Sequence, residues 1–490
     1  MSLRDDVELA RGRLAEAPGG AEALDRIEHL ERSWGGRVPI ERLPFDPPPG
    51  FRPDVDVVVA GGGLWLVLAA FLARRGLRVA VLDRASIGRA HREWNISGKE
   101  LAPFTASGLF TPAEIESLVV ARYVKGVCRW HGGGTYPVRG VLDHAIDGRG
   151  FLEAARAKAL AAGAQLLDGH ALTGFGATRW GVRVRALEGS RPVELTARVL
   201  VDALGASSPH ARVDLGCPTV GAVLAGLREG DANDEIDPQI GDILATTEHR
   251  DEGRQHIWEG FPAGDLGYTT YLFHYARAGA LGPQPLLSLY GRFFRLRPRY
   301  KRGDAEVRRL TFGIIPGWSR LSPAPTPPCD GLVLVGDAAA RHSPLTFCGF
   351  GGMARSFVPI GEGLARALDD GDLSAARLER LAPDLPLLRG VGALALLLAG
   401  ARRPVDPAAT NRLLDAAFRS LHERGNDFYA SLLRDEMSLS EFVRFLYRTS
   451  KHRPEVYRDI GAYLDPDELW RWGRALTAAR VKGWRASVGV

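Results

Sequence analysis

The sequence predicts an α/β protein: a parallel strand–helix–strand unit, an inserted and mainly antiparallel domain, and a helical C-terminal region. Three observations carry this. First, a β-branched run, Val55-Asp56-Val57-Val58-Val59-Ala60, ends at Gly61-Gly62-Gly63; an apolar, helix-compatible segment to Arg75 and a second run, Arg78 to Asp83, follow. Second, a buried-strand pattern returns at Leu332-Val333-Leu334-Val335 and closes on Gly336-Asp337. Third, alternating and aromatic stretches such as Tyr268-Thr269-Thr270-Tyr271-Leu272-Phe273 lie between them, and from about 352 onward the pattern is helical.

Residues 1–43 read as a helical appendage, with Leu24, Ile27 and Leu30 at helical spacing. A stiff linker follows over 44–53, rich in proline from Pro44 to Pro49. The parallel domain is expected to be discontinuous, over 54–98, 150–214 and 325–365. Its β-α-β order with short connections after Ala60 predicts a parallel pair of strands. Further strands are expected at Val182 and Val184, at Val193 and Leu195, and over Val199 to Ala203. The inserted substrate domain takes 99–149 and 215–324, and the helical region takes 366–490.

Composition excludes several classes. The chain has 490 residues, 45% hydrophobic and 25% charged, which fits a folded protein with a sizeable core. A formal charge of +5 over this length is a weak field, so no nucleic-acid partner is expected. Cys128, Cys217, Cys329 and Cys348 are scattered, which argues against a disulfide framework or a zinc site and points to a reducing, cytoplasmic setting. The first residues carry acids and no apolar core, unlike a secretory signal. The apolar run Val391 to Ala401 is about half the ~20 residues a bilayer span needs and reads as a buried helix.

The glycine turn carries the first chemistry. Glycines after a strand let the backbone approach a pyrophosphate, and the following helix offers free N–H groups to it. Asp83 ends the second strand 22 residues after Gly61, where an acid can bind adenosine ribose. The third glycine of the fingerprint is replaced by Leu66, with Trp65 beside it. The second segment is Gly336-Asp337, then Ser343-Pro344 and Gly349-Phe350-Gly351-Gly352. Its carboxylate can accept hydrogen bonds from ribitol hydroxyls, and its glycines open a second helix. This arrangement resembles the second FAD motif of flavoprotein hydroxylases, geranylgeranyl reductases and lycopene cyclases.

A third string, Arg92-Glu93-Trp94-Asn95-Ile96-Ser97-Gly98-Lys99-Glu100-Leu101, closely resembles a stretch of the lycopene cyclase-like flavoproteins. The same pattern reappears at Trp258-Glu259-Gly260-Phe261-Pro262, at Phe312-Gly313 and over Asp337 to Arg355. That family has Arg where Gly98 stands and Gly where Trp65 stands. The resemblance runs from about residue 54 to at least 360. It implies a Rossmann-like FAD-binding domain of the glutathione reductase and p-hydroxybenzoate hydroxylase type, with FAD as cofactor and NAD(P)H as candidate reductant. The candidate cofactor residues are Gly61, Gly62, Gly63, Asp83, Arg84, Ser97, Lys99, Gly336, Asp337, Pro344, Gly349 and Gly351.

Glu259 is the candidate acid. An apolar setting would keep it protonated near neutral pH, ready to protonate an alkene and start a cyclisation; the alternative is a glutamate paired with an arginine. Three functions stay open: a lycopene cyclase-like enzyme on a hydrophobic polyene or isoprenoid, a flavin monooxygenase or reductase on an aromatic or polyketide-like compound, and a flavin-free accessory protein. His256, His274 and His342 lack partners at recognisable spacing and are expected to be structural, as is Cys348. Leu469-Trp470-Arg471-Trp472 with Lys482 and Trp484 reads either as a packing helix or as a peripheral membrane contact.

Overall fold

A computed structural model describes residues 3–36, 39–89, 94–321, 329–341, 345, 349–381 and 387–488, the side chains of 387–391 and 479–488 excepted. The βαβ unit forms as expected: strand Val55–Ala60, helix Leu66–Arg74 and strand Val79–Asp83, paired in parallel from Val57↔Val79 to Ala60↔Leu82. The helix starts at Leu66, two residues later than its apolar pattern begins, because Leu64 and Trp65 complete the glycine turn. Gln165–Asp168 extends this sheet on one side. On the other lies the long strand Arg191–Asp202, whose end also pairs in parallel with Leu332–Leu334. The late strand therefore comes back beside the first, as its buried pattern predicts.

Both faces of the parallel strands are covered, which is why their sequence is apolar without alternation. Val57, Val59 and Val81 pack against helices Leu66–Arg74, Gly148–Ala161 and Gly349–Asp370, while Val58, Ala60 and Leu82 pack against the antiparallel strands His170–Thr178 and Gly181–Glu188. At the sheet edge, Glu41 and Arg42 pair in parallel with Gly174 and Phe175, so the chain joins the parallel domain just before its proline-rich linker.

The second sheet is mainly antiparallel and runs from Leu215–Leu227, flanked by Gly303–Gly317 and Tyr268–Phe273, through Ile257–Pro262 and Ile240–Ala245 to Lys125–Arg129 and Thr135–Val138. One face packs against helix Pro285–Tyr300 and the two N-terminal helices, Leu3–Glu16 and Gly20–Ser33. Val7, Ala10 and Leu14 supply that contact at helical spacing, and the buried Asp6 pairs with Arg292 (3.3 Å) and Arg295 (3.0 Å). The opposite face carries the C-terminal helices, including Leu387–Leu398, whose Ala393, Ala395 and Leu396 are buried. Trp94–Ile96, His144–Ile146 and Val119–Arg122 form a small third sheet whose strands bracket Lys125–Arg129 and Thr135–Val138 of the second in sequence. Among the described residues, no helix is long and apolar enough to cross a membrane.

Candidate functional site

A cleft of about 740 Å³ lies along the C-terminal ends of the parallel strands and reaches the second sheet. This is where open α/β sheets bind ligands. Gly61, Gly63, Trp65, Asp83, Arg84, Gly336, Asp337 and Gly349 line it, together with Glu259. The structure thus gathers most of the candidate residues in one place.

At one end, the Asp83 carboxylate accepts the backbone N–H of Gly62 (2.7 Å) and of Ala85 (2.8 Å). These bonds fix it at the lip of the cleft beside Arg84, His170 and Leu172. Gly61 has φ 115°, and a Cβ there would lie 2.3 Å from the Ala203 carbonyl oxygen, so this crossing of strands admits only glycine. Buried Asp202 ends its strand and holds the next turn by accepting from Leu204 N (3.1 Å) and Ser208 Oγ (2.6 Å). Residues 203–207 of that turn also line the cleft. Only its position after a buried run marks this turn in the sequence.

Trp65 crosses the middle. Gly336 has φ 56°, and a Cβ on it would sit 2.4 Å from the Trp65 indole nitrogen. The indole therefore bridges the two glycine turns, which approach a pyrophosphate in folds of this type. Leu66 is fully buried at the other side of the helix, near Gly88. Tested against FAD, the ends of the cleft fit: Asp83 offers a fixed carboxylate, and Gly349 and Gly352 face open space where a Cβ would meet nothing within 4 Å. In the middle, the Trp65 indole fills the space beside Gly336.

Other candidates stand outside the cleft wall. Gly62 is buried against Ile87, and Gly351 against the Glu100 carboxylate. The Ser97 hydroxyl accepts from Leu142 N (3.1 Å) and shares a capping box with Glu100, which pairs with Arg355. Lys99 reaches Glu436 of the C-terminal region at 2.5 Å. Gly98 has no arginine to place; the His144 ring fills that space, 2.5 Å from where a Cβ would be, and pairs with Asp143 (2.7 Å). Burial disfavours the Asp143 charge, but hydrogen bonds from His144 and Gly98 N prevail and hold its carboxyl below the usual range. Pro344, Ser343, His342, Cys348, Arg92 and Glu93 lie outside the described residues.

Glu259 sits on Ile257–Pro262, directly opposite Tyr271 in the antiparallel register. Alternation turns Trp258 away, onto Tyr300 (4.5 Å between ring centres), and turns Glu259 and Phe261 toward Tyr123 and Tyr271. Protein surrounds the Glu259 carboxylate except where it opens to the cleft, and Asn95 Nδ2 donates to its Oε1 at 2.6 Å. Desolvation pushes its pKa up to about 7, against the hydrogen bond from Asn95. No arginine pairs with it among the described residues. Asn95 has no role legible in the sequence, since 164 positions separate the two. Trp94 on the same strand meets Phe350 at 5.0 Å, joining the third string to the second glycine segment.

Behind Glu259 opens a second, apolar cavity of about 140 Å³, lined by Trp130, Ile243, Phe273 and Tyr275 of the sheet and by leucines of the C-terminal helices such as Leu397, Leu414 and Leu433. Leu142, Thr219, Glu259 and Ile315 line both spaces. Of the histidines, His256 is buried with Nδ1 3.1 Å from Glu248, and burial pushes His274 well below its ordinary range. Both lie away from the two cavities' linings. Trp472 is buried and Trp470 is 67% exposed, so the C-terminal Trp-Arg stretch is partly packing. The side chains of Lys482 and Trp484 lie outside the described residues. No cluster of three metal-ligating side chains occurs among the described residues.

No family model matches the chain, and no curated protein does. Solved structures do. A geranylgeranyl bacteriochlorophyll reductase-like protein from Thermoplasma acidophilum is 16% identical with a TM-score of 0.60, over 84% of this chain and 99% of that one. The halogenase PltM, in complex with phloroglucinol and FAD, is 13% identical with a TM-score of 0.56, over 88% and 92%. A flavoprotein/dehydrogenase from Cytophaga hutchinsonii is 13% identical with a TM-score of 0.56, over 82% and 99%. At these identities the likeness speaks to architecture: the chain has the Rossmann-type fold of FAD-dependent reductases and halogenases, with a helical C-terminal region.

Proposed function

We propose that the chain is an FAD-dependent enzyme that acts on a hydrophobic, polyene- or isoprenoid-type substrate, with Glu259 as its acid. The observation that carries this reading is the position of Glu259: a carboxyl raised to about 7, at the junction of the dinucleotide-sized cleft and an apolar cavity. Gly61, Gly63, Asp83, Gly336, Asp337 and Gly349 would hold the cofactor. FAD when bound supplies an electron-rich or electron-poor ring system beside the substrate, with NAD(P)H as candidate reductant.

The chain's own residues do the rest. The apolar cavity takes the hydrocarbon and excludes water. Asn95 fixes one oxygen of Glu259 as an acceptor and leaves the other to carry the proton. A protonated carboxyl there can protonate an alkene, and Tyr271 and other aromatic faces favour the cation that forms. Lycopene supplied in liposomes with reduced FAD is the test. We expect Glu259→Gln to lose product at least about 100-fold, the scale of a lost general acid, while its flavin absorbance matches the wild type. Undiminished turnover in that variant would remove Glu259 from the role. Substrate-dependent NAD(P)H oxidation with oxygen uptake would instead mark a monooxygenase.

One observation favours a second reading, a flavin-free accessory protein: the Trp65 indole against Gly336. The absorbance spectrum of the purified protein separates the two. A yellow protein with stoichiometric flavin excludes the second; a colourless one that FAD does not stabilise supports it.

A further inference from the structure

We propose that the outer face of two consecutive C-terminal helices, Leu439–His452 and Val456–Tyr463, docks on an anionic lipid surface. The two faces of these helices differ sharply. Inward, Phe445, Leu446, Thr449, Val456 and Ile460 line the apolar cavity that ends at Glu259. Outward, Val443 is 51% exposed, Tyr447 58% and Tyr457 66%. These are large apolar groups on a wall that already buries its own core.

Cations flank them. Arg444, Arg448 and Lys451 recur with Val443 and Tyr447 at spacings of three and four, so they share one helix face, and Arg458 follows Tyr457. All four are exposed, and none forms an ion pair among the described residues. Lys451 Nζ lies 4.8 Å from the Tyr447 ring centre. The nearby acids are largely engaged: Glu441 closes the N-terminal capping box, and Asp459 pairs with Arg453 at 2.6 Å, leaving Glu455 exposed. Aromatic tips among unpaired cations match the headgroup region of an anionic bilayer, where rings sit at the interface and Lys or Arg meets lipid phosphate. The contact is peripheral, since no described helix can cross the membrane. It puts the hydrocarbon phase one helix layer from the apolar cavity. This claim concerns the outer face and does not depend on the chemistry of Glu259.

Vesicle sedimentation of the full-length protein tests it, with phosphatidylcholine alone and with phosphatidylcholine mixed with phosphatidylglycerol. We expect at least about tenfold stronger partitioning onto the mixed vesicles, weakened by added salt. The triple variant R444E/R448E/K451E should lose at least about tenfold of it, and V443S/Y447S/Y457S should lose a similar share. The control is R179E/W180S, which removes another exposed cation–tryptophan pair, on the hairpin between His170–Thr178 and Gly181–Glu188; it should partition like the wild type. Equal partitioning onto both vesicle types, or an equal loss in the control, overturns the proposal. So does analytical ultracentrifugation showing a self-associated wild type that either triple variant dissociates, because the face would then be a contact between copies. Circular dichroism melting checks that all variants stay folded, as exposed substitutions generally do.

Discussion

Rotating the Trp65 indole away from Gly336 gives up apolar packing worth about 1 kcal/mol, and any dinucleotide that enters the middle of the cleft must offset that. We therefore expect Trp65→Ala to bind FAD about five- to tenfold more tightly than the wild type, the affinity equivalent of that contact, as read by quenching of flavin fluorescence. Equal or weaker binding would mean the ring already leaves room. Glu259 makes a second demand at this scale. Its carboxyl is raised to about 7 in the folded chain, from an ordinary value of 4.5, first by desolvation. Between these values the folded state binds a proton that the unfolded state has lost, so stability falls as pH rises through the window. After a discount for the water that reaches it from the cleft, the loss is about 2 kcal/mol between about pH 5 and about pH 8. Glu259→Gln should lack this term. Urea denaturation at both pH values checks it, and parallel pH dependence in the two proteins would contradict the assignment. Glu259 was legible in the sequence from its motif string. The ring of Trp65 was legible as an intruder, but its seat on Gly336 was not, because 271 positions of chain separate them and only the returning strand brings them together.

Among the elements, the βαβ unit was readable because a fully buried parallel strand is apolar at every position and its turn is spelled in glycine. The edge strand at Glu41 and Arg42 left no such mark: two charged residues pair through their backbone with Gly174 and Phe175, and Glu41 meets Arg185 at 2.9 Å. The N-terminal helices were readable as helices, while their partner was not, since an amphipathic stripe states that a face is covered and not by what. The structure seats Leu3–Glu16 on Pro285–Tyr300 so closely that a Cβ on Gly291 would lie 2.1 Å from the Asp6 carbonyl oxygen. Asp6 is 1% exposed and meets two arginines. Asp6→Asn keeps the shape and removes the charge, so we expect a cost of about 1–3 kcal/mol, seen as a lower denaturation midpoint with FAD affinity unchanged. A wild-type midpoint would show that the helix is held by its apolar face alone.

For the whole molecule, the decisive relation is between two sheets and a helical wall. The cleft belongs to the parallel sheet, the apolar cavity to the antiparallel sheet and the C-terminal helices, and Glu259 stands in the short stretch that both share. Sequence motifs marked the first space, because phosphate-binding turns need particular residues. They did not mark the second, because a cavity wall of leucines uses the same alphabet as a core. The small third sheet couples two positions that lie far apart in the chain. There His144 fills the space that a side chain at 98 would need. A side chain at 98 needs the His144 ring to give way, whereas 144 can become smaller with Gly98 in place. The two sites are therefore ordered: room for a larger residue at 98 opens only after 144 has become smaller or its ring has turned aside.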